Sequence, residues 1–371
     1  MGWGRAACAA APWLAVVLTL ATSCKRKQAA PSPPLPPPAP RVTTRASRPP
    51  LPRGFLRGQL HAHTSASADS ETAPVDVQRW YAARGYDFVV FTDHNAITDT
   101  PDTETLTFAG AELTRNPRDC TPPAPPGEHC ALHMNALFVG PDAGAIVYAT
   151  TDAATRVDIY ADELRVARAL GGIAMLNHPN MASGADADIV LELSKRGLTL
   201  LEVGNQSWDA DNAGDATRPS TEAIWDSALS RGARLFATVT DDAHSYDDAE
   251  AARARGERPF TGDLGFVVVR ADKRADAIRA AIARGDFYGS TGLVLDTLEA
   301  DAAHLKVATR AGVAVDFDVI GRGGRVVRRE HAARLELSLA PSPGDYVRVR
   351  ARAADGATAL LQPAFDVTLA R

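Results

Sequence analysis

The sequence lacks an excess of basic residues, since 45 aspartates and glutamates outnumber 40 lysines and arginines and the formal net charge is -5. Proteins that bind nucleic acid usually carry a basic surface, so no nucleic-acid partner is expected. Cysteine is scarce, with four in 371 residues, which excludes a small scaffold held together by disulfides. The composition, 45% hydrophobic and 23% charged, is that of an ordinary globular protein.

The N-terminal apolar run, Trp13–Leu20, is too short to span a bilayer reliably. Arg5 precedes it and small residues follow it before Cys24, which is typical of a bacterial lipoprotein signal. We expect residues 1–23 to be a signal peptide and Cys24 to become the lipidated N-terminus of an exported protein, periplasmic or at the cell surface. Two alternatives stay open: an uncleaved anchor, and ordinary cleavage nearby, because Ala21 stands where such signals usually have Leu.

Residues 24–53 are dominated by proline and include the run PSPPLPPPAPR. Such a segment cannot bury a core and prefers extended polyproline geometry. It is predicted to be a semi-rigid tether that holds the rest of the chain off a membrane.

Two cysteines remain once Cys8, in the signal, and Cys24 are set aside. They are Cys120 and Cys130, which lie in one Pro-rich loop. In an exported protein such a pair is expected to form a local disulfide, and metal binding by the pair is the weaker alternative.

Between residues 54 and 292 short apolar strands alternate with amphipathic helices that end before a glycine. The predicted strands are 58–63, 87–92, 105–113, 134–140, 172–176, 198–203, 234–239 and 265–270, and the predicted helices are 74–84, 157–170, 186–196, 221–231 and 274–284. Alternation of strands and helices indicates a parallel sheet. Seven or eight such units in roughly 240 residues favour a closed or distorted barrel over an open sheet.

Residues 293–371 show a different pattern. They contain no convincing helix and have period-2 runs at 334–339, 345–352 and 361–369. Alternation of this kind is typical of half-buried strands. We therefore predict a small C-terminal β domain.

Titratable side chains follow several predicted strands at the point where each strand ends. These side chains are His61, His63, Asp93, His94, Glu112, His178, Asp242 and His244. With His133, the set contains six of the nine histidines. In a parallel barrel the carboxyl ends of the strands converge on one rim. Taken singly, each residue could cap a turn or pair with a neighbour, as Glu112 could with Arg115. Burying them together without a cation would cost about several kcal/mol, so the set predicts a site for more than one metal ion.

The motifs HAHT, TDHN, AEL, LHMN, NHP and TDDAH occur in this order between residues 58 and 244. They resemble those of the PHP (polymerase and histidinol phosphatase) superfamily. TDDAH, the later ARGDFYGSTG and the C-terminal β segment are similar to an exported, carbaryl-hydrolase-like branch. The resemblance implies that residues 54–292 form an α/β fold, a distorted (β/α)7 barrel, with two or three divalent ions of zinc, manganese or iron on its carboxyl rim.

The resemblance also implies which side chains bind each ion. The first ion is expected to be held by His61, His63, Glu112 and Asp242. The second takes His133 and His178 and shares Glu112 as a bridge, and the third takes Asp69, His94 and His244. The expected catalytic residues are Glu112, Asp242 and His244.

Two residues fit this scheme less simply. His133 precedes its apolar run, so in a regular barrel it would lie on the wrong rim unless its strand runs in reverse or it sits in the approach loop. Asp93 is expected to support the ligands rather than bind metal, because a carboxylate beside a ligating histidine commonly orients the imidazole. Arg115, Asn180 and Arg218 are candidate substrate contacts, or else surface residues.

The leading function is hydrolysis of a small phosphate ester by a hydroxide that bridges two of the ions. The alternative is a carboxylic ester, amide or carbamate hydrolase. A third reading is a non-catalytic cell-surface module that binds metal or glycan. The expected partners are a small-molecule substrate and a membrane, through the lipid anchor, and no protein partner is predicted.

Overall fold

The computed structural model describes residues 50–370, apart from 125, 141, 152–153, 247–253 and 257–259. The predicted signal peptide, Cys24 and nearly all of the tether therefore lie outside the described residues, and these assignments stay predictions. None of the helices within the described ranges is long and apolar enough to cross a membrane.

The helices begin and end where local signals place them. They are α1 (Pro74–Ala82), α2 (Arg156–Ala169), α3 (Ala187–Lys195), α4 (Thr221–Ser230) and α5 (Ala275–Arg284). Three helices, α2, α3 and α4, are capped at their N-termini. The side chains of Thr155, Asp186 and Ser220 accept hydrogen bonds from backbone N–H groups of the first turn. Pro74 opens α1, where its missing N–H costs nothing. All five agree with the sequence prediction to within a few residues.

One sheet has five strands in the order β4 (Ala111–Arg115), β5 (Leu132–Leu137), β6 (Ile173–Leu176), β7 (Leu200–Asn205) and β8 (Phe236–Thr240). β6, β7 and β8 are parallel, as strands joined by helical crossovers must be. β5 runs antiparallel to both of its neighbours. Its amino end therefore lies beside the carboxyl ends of β4 and β6.

The second sheet carries the start of the globular chain. β1 (Phe55–Gln59), β2 (Phe88–Val90) and β3 (Leu106–Phe108) are parallel. β9 (Phe266–Arg270) pairs antiparallel with β1, and β10 (Phe287–Ser290) pairs antiparallel with β9. The predicted strand 105–113 is in fact two strands, because the chain leaves this sheet after β3 and enters the five-stranded sheet as β4.

The C-terminal strands continue the second sheet. They are β11 (Leu295–Ala300), β12 (His304–Thr309), β13 (Val315–Gly321), β14 (Arg325–Ala332), β15 (Arg334–Arg352), β16 (Thr358–Leu361) and β17 (Ala364–Leu369). The predicted runs 334–339 and 345–352 form one long strand, β15. Since β16 pairs with β10, the sheet is continuous across residue 292, and the predicted domain boundary there stays a prediction.

The two sheets face each other but do not close into one ladder. Among the described residues, isolated backbone bridges join their rims between Ala62 and Ala243 and between His94 and Glu112. The fold is mixed α/β with large open sheets and few helices, and the expected distorted (β/α)7 barrel is not confirmed. The physical reason is that β5 and β9 run antiparallel to their neighbours, whereas the strands of a (β/α)7 barrel are parallel.

The core of the five-stranded sheet is packed against α2, α3 and α4. Buried side chains such as Leu164, Leu193 and Trp225 fill this layer. Cys120 and Cys130 lie at its edge, where they form a disulfide. The polar residues at the rim are thus carried by strands whose cores are closely packed with apolar side chains.

Gly110 occupies the passage between the two sheets. A Cβ atom on Gly110 would lie 2.5 Å from the carbonyl oxygen of Phe91 and 2.9 Å from that of Ala136, and neither backbone atom can move freely. We expect Gly110→Ala to lower the free energy of unfolding by about 1–3 kcal/mol, the usual cost of overpacking. Thermal and urea unfolding would measure it.

Gly144→Ala is the matched control, because a Cβ there would meet nothing within 4 Å. Equal stability of the two variants would contradict the close passage at Gly110.

Candidate metal centre

The rim of the two sheets gathers all nine predicted metal ligands. The loops after β1, β2, β6 and β8, the body of β4 and the amino end of β5 supply His61, His63, Asp69, His94, Glu112, His133, His178, Asp242 and His244. His133 joins the others because β5 runs antiparallel, which resolves the tension over its position in the sequence. The loops carry seven of these residues, and the strands β4 and β5 carry Glu112 and His133.

Glu112 is the centre of the cluster. Its two carboxylate oxygens lie within 3.5 Å of five imidazoles, those of His61 (3.4 Å), His63 (3.5 Å), His94 (2.9 Å), His133 (3.2 Å) and His178 (3.5 Å). Asn177 also donates its side-chain N–H to Oε1, at 2.7 Å. A carboxylate placed between this many imidazole nitrogens is well suited to bridge two cations.

The ligand atoms fall into three groups, in each of which they lie within 4.8 Å of one another. The first comprises His61, His63 and Asp242, the second comprises Glu112, His133 and His178, and the third comprises His63, Asp69, His94 and His244. The grouping follows the three predicted ion sites with two exceptions: His63 also belongs to the third group, and Glu112 is in the second group but not in the first. The assignment of each ligand to an ion stays a prediction.

Two buried imidazole nitrogens without hydrogen-bond partners indicate whether these residues suit metal ions. His61 Nε2 and His133 Nδ1 are buried and have no hydrogen-bond partner, although both point towards Glu112. Leaving a buried polar atom unsatisfied costs about 1–3 kcal/mol. Their lone pairs converge on the place where a cation would lie, so the donor set fits divalent ions bound by imidazole and carboxylate.

The cluster shifts the ionisation of its members. Burial opposes the charge on Glu112, but the imidazoles of His94 and His133 hold the pKa of that carboxyl well below its usual range. Burial works to lower the pKa of His94, whereas the carboxylates of Glu112 and Asp69 raise it to about 10. Burial and the neighbouring His244 lower the pKa of His63 to about 4. His63 is therefore neutral at physiological pH, the form in which imidazole binds a metal.

The backbone is strained where it carries the site. His178 and Asp242 have φ values of 22° and 51°, and Asn95, next to His94, has a φ of 52°. Residues with side chains rarely adopt this left-handed region, and such strain concentrates at functional sites. Two of these residues, His178 and Asp242, are themselves predicted ligands.

Asp93 supports the site without reaching its centre. Its carboxylate accepts hydrogen bonds from the backbone N–H and the hydroxyl of Thr64, at 2.6 and 2.8 Å. These bonds fix the chain directly after His63. Whether Asp93 acts as a support rather than a ligand stays a prediction.

Glu202 is a buried carboxylate that the sequence analysis missed. It accepts hydrogen bonds from Thr240 Oγ1 (2.5 Å), from the backbone N–H of His178 (2.7 Å) and from Asn205 Nδ2 (3.0 Å). His61 Nδ1 lies 2.8 Å from it, so the His61 ring is held with Nε2 facing the cluster. The signal was present: a glutamate in the apolar strand LLEV, where a charge must have partners.

The candidate substrate contacts are engaged elsewhere. Arg115 donates to Thr150, and Asn180 donates to the carbonyl oxygens of Asp211 and Pro219. Arg218 pairs with Asp215 and also lies 3.7 Å from Glu128. These contacts hold loops in place.

No protein-family model matches the chain, and no curated protein matches it. One solved structure with a detectable likeness is that of a Bifidobacterium adolescentis protein, provisionally named a metal-dependent phosphoesterase. The likeness covers 54% of this chain and 90% of that one, with 13% sequence identity and a TM-score of 0.34. A likeness this distant establishes neither a family nor a function.

Glu202→Gln should weaken metal binding while leaving every ligand in place. The amide keeps the shape of the side chain but removes its charge and turns a donor towards groups that already donate. Loss of such a supporting carboxylate typically costs roughly 10–100-fold in metal affinity. Competitive zinc titration, with circular dichroism to check the fold, would measure the change.

Glu192→Gln on the surface of α3 is the control, because among the described residues that carboxylate pairs with Lys195 and Arg196 of its own helix end and not with the metal ligands. If the two variants bound zinc equally well, Glu202 would have no role in orienting His61.

Proposed function

We propose that this protein is a metal-dependent hydrolase, and specifically a phosphoesterase that acts on a small phosphate ester. The observation that supports it is the buried Glu112 carboxylate among five imidazoles, surrounded by three groups of ligand atoms. Divalent ions held there would lower the pKa of bound water and neutralise charge on the scissile group. Membership of the PHP superfamily and of its exported branch, the barrel and the lipid anchor belong to the same proposal.

The residues of the chain have separate tasks in this proposal. Glu112 and Asp242 place negative charge at the deep side of the cluster, where both are buried. His244 and Asp69 lie on the open side, with His244 Nε2 3.4 Å from Asp69 Oδ2. In this proposal the pair contributes ligands for the ion nearest the open side. Burial of the deep side excludes bulk water, which strengthens every electrostatic interaction there.

One observation favours the second candidate, a carboxylic ester, amide or carbamate hydrolase. Phosphate sites commonly use arginine as a bidentate partner. Arg115 and Arg218, the arginines expected near the site, are occupied by loop contacts instead. A neutral scissile group would need no such partner.

Parallel assays of metal-loaded protein separate the candidates. We expect turnover of simple phosphate monoesters and diesters, and much slower turnover of carboxylic and carbamate esters, because several cations suit a multiply charged group. Turnover of the carboxylic or carbamate esters alone would replace the first candidate with the second. If the protein binds metal but hydrolyses no ester of either class, the result would support the third candidate, a non-catalytic module.

Unequal losses are expected when ligands on the two sides of the cluster are removed. His61→Ala removes a fully buried ring that lies against Glu112, Glu202 and Asp242. It should reduce kcat/KM by more than the roughly 10–100-fold that loss of a supporting residue costs. Asp69→Ala, on the open side, should lower activity less and remove about one ion per chain, as measured by elemental analysis.

Asp76→Ala is the control for Asp69→Ala, since Asp76 is exposed on α1 and its ion pair in the described part of the chain is with Arg79. Fewer than two ions per wild-type chain under saturating metal would overturn the proposed centre.

A further inference from the structure

A cavity of about 400 Å³ lies at the end of the strands opposite the metal centre. Phe55 and Phe236 line this cavity and begin β1 and β8, whereas the metal ligands His61 and Asp242 follow the other ends of the same two strands. None of the nine predicted ligands, all of which are described, lines the cavity. Its volume is within the range of roughly 300–1,000 Å³ that small-molecule sites occupy. The cavity is therefore large enough for a ligand and is separate from the metal centre.

Most of the cavity wall is apolar. It includes the side chains of Phe55, Phe236, Phe287, Leu298, Leu361 and Phe365. Phe236, from the five-stranded sheet, and Phe365, from β17, have ring centroids 6.0 Å apart. Phe55, Phe236, Leu298 and Phe365 are each only partly buried, so the cavity presents apolar surface to its contents. Such a wall suits a hydrocarbon chain.

The wall is held in shape by backbone-like hydrogen bonds. The side chain of Gln362 donates to the carbonyl oxygen of Ala237 and accepts from its N–H group, both at 2.8 Å. These two bonds attach the segment between β16 and β17 to β8. Phe236 and Phe365 therefore keep their relative positions whether or not a ligand is bound.

Three arginines line the same cavity where it meets solvent. The side chains of Arg234, Arg270 and Arg284 are 63%, 48% and 60% exposed. Arg234 pairs with Asp366 at 2.7 Å, and Arg270 and Arg284 share Asp286, at 3.8 and 2.8 Å. Three positive charges thus face two negative charges in this group of described side chains. The opening of the cavity favours a negatively charged ligand.

We propose that this cavity binds a free single-chain amphiphile with an anionic head, of the fatty-acid class. Its chain lies against Phe236 and Phe287, and its carboxylate lies beside Arg270 and Arg284, because guanidinium groups bind carboxylates with paired N–H···O bonds. A neutral apolar ligand would leave the arginines unused, and a small inorganic anion would leave the apolar wall unused. The site is a binding site at the far end of the strands and does not depend on the reaction at the metal centre.

Isothermal titration calorimetry of the metal-loaded protein with decanoate, below its micelle concentration, tests the site. Two probes separate the contributions of chain and head: decyltrimethylammonium keeps the chain and reverses the charge, and acetate keeps the head and lacks the chain. Both should bind about tenfold more weakly than decanoate, or less tightly still, because each buried methylene adds to affinity and the arginines repel a cation. Equal binding of decanoate and either probe would overturn the proposal.

Ala300→Trp should block the cavity. Ala300 lines the cavity and is exposed at the end of β11, so a larger side chain there does not disturb the core. Decanoate affinity should fall about tenfold, and the number of metal ions per chain should not change, because the ligands lie at the other end of the strands. Ala302→Trp is the matched control, since Ala302 is exposed in the following turn and does not line the cavity.

Equal decanoate affinity in Ala300→Trp and Ala302→Trp would overturn the proposal, since the carboxylate would then bind elsewhere, for example at the metal centre. Binding to vesicles of phosphatidylglycerol without any binding of decanoate would also overturn it, and would assign the arginines to a membrane surface.

The arginines are tested by a double variant, Arg270→Gln with Arg284→Gln. It should lower the ratio of the affinities for decanoate and decyltrimethylammonium by about threefold for each arginine, the effect expected of exposed ion pairs. Arg274→Gln is the control, because Arg274 is exposed at the start of α5, pairs with Asp276 and does not line the cavity. An equal ratio in the double variant and in Arg274→Gln would contradict recognition of an anionic head.

Discussion

The buried carboxylate of Glu112 is the constraint on which the rest of the site depends. A charge removed from water must be matched closely by its surroundings, and here five imidazoles from both sheets provide the match. The isolated bridge between His94 and Glu112 joins the two sheets at this point. Glu112 therefore takes part in both links: its backbone joins the two sheets, and its carboxylate lies among imidazoles from both of them.

Much of the site could be predicted from local sequence. Histidines and carboxylates at the ends of apolar runs indicate that these side chains lie at one edge of a sheet. This holds whether the sheet is open or closed, so residues such as His61, His94 and Asp242 could be assigned to one cluster. The helices were equally accessible, because caps such as Ser220 and the following glycines act within a few residues. Signals of this kind need no knowledge of distant parts of the chain.

The remainder depends on contacts that are distant in sequence. The direction of β5, which brings His133 to the rim, is set by its partners β4 and β6. The chain passes between the sheets at Gly110 because it approaches the backbone of Ala136 closely there. The role of Glu202 can be recognised only when His61 is seen beside it. The open sheets follow from the antiparallel pairing of β9 with β1. No local pattern of hydrophobicity specifies such pairings.

The pairing of β1 with β9 also sets an order of events during synthesis. β1 carries His61 and His63 at its end, and one of its two neighbours is β2, which leaves the ribosome soon afterwards. The other neighbour includes Arg270, which pairs with Phe55 and is made only after every metal ligand. The first histidines of the chain must therefore remain on an incomplete sheet edge while most of the protein is translated. Non-local pairing of this kind slows folding and lengthens the time in which an unpaired edge is exposed to association.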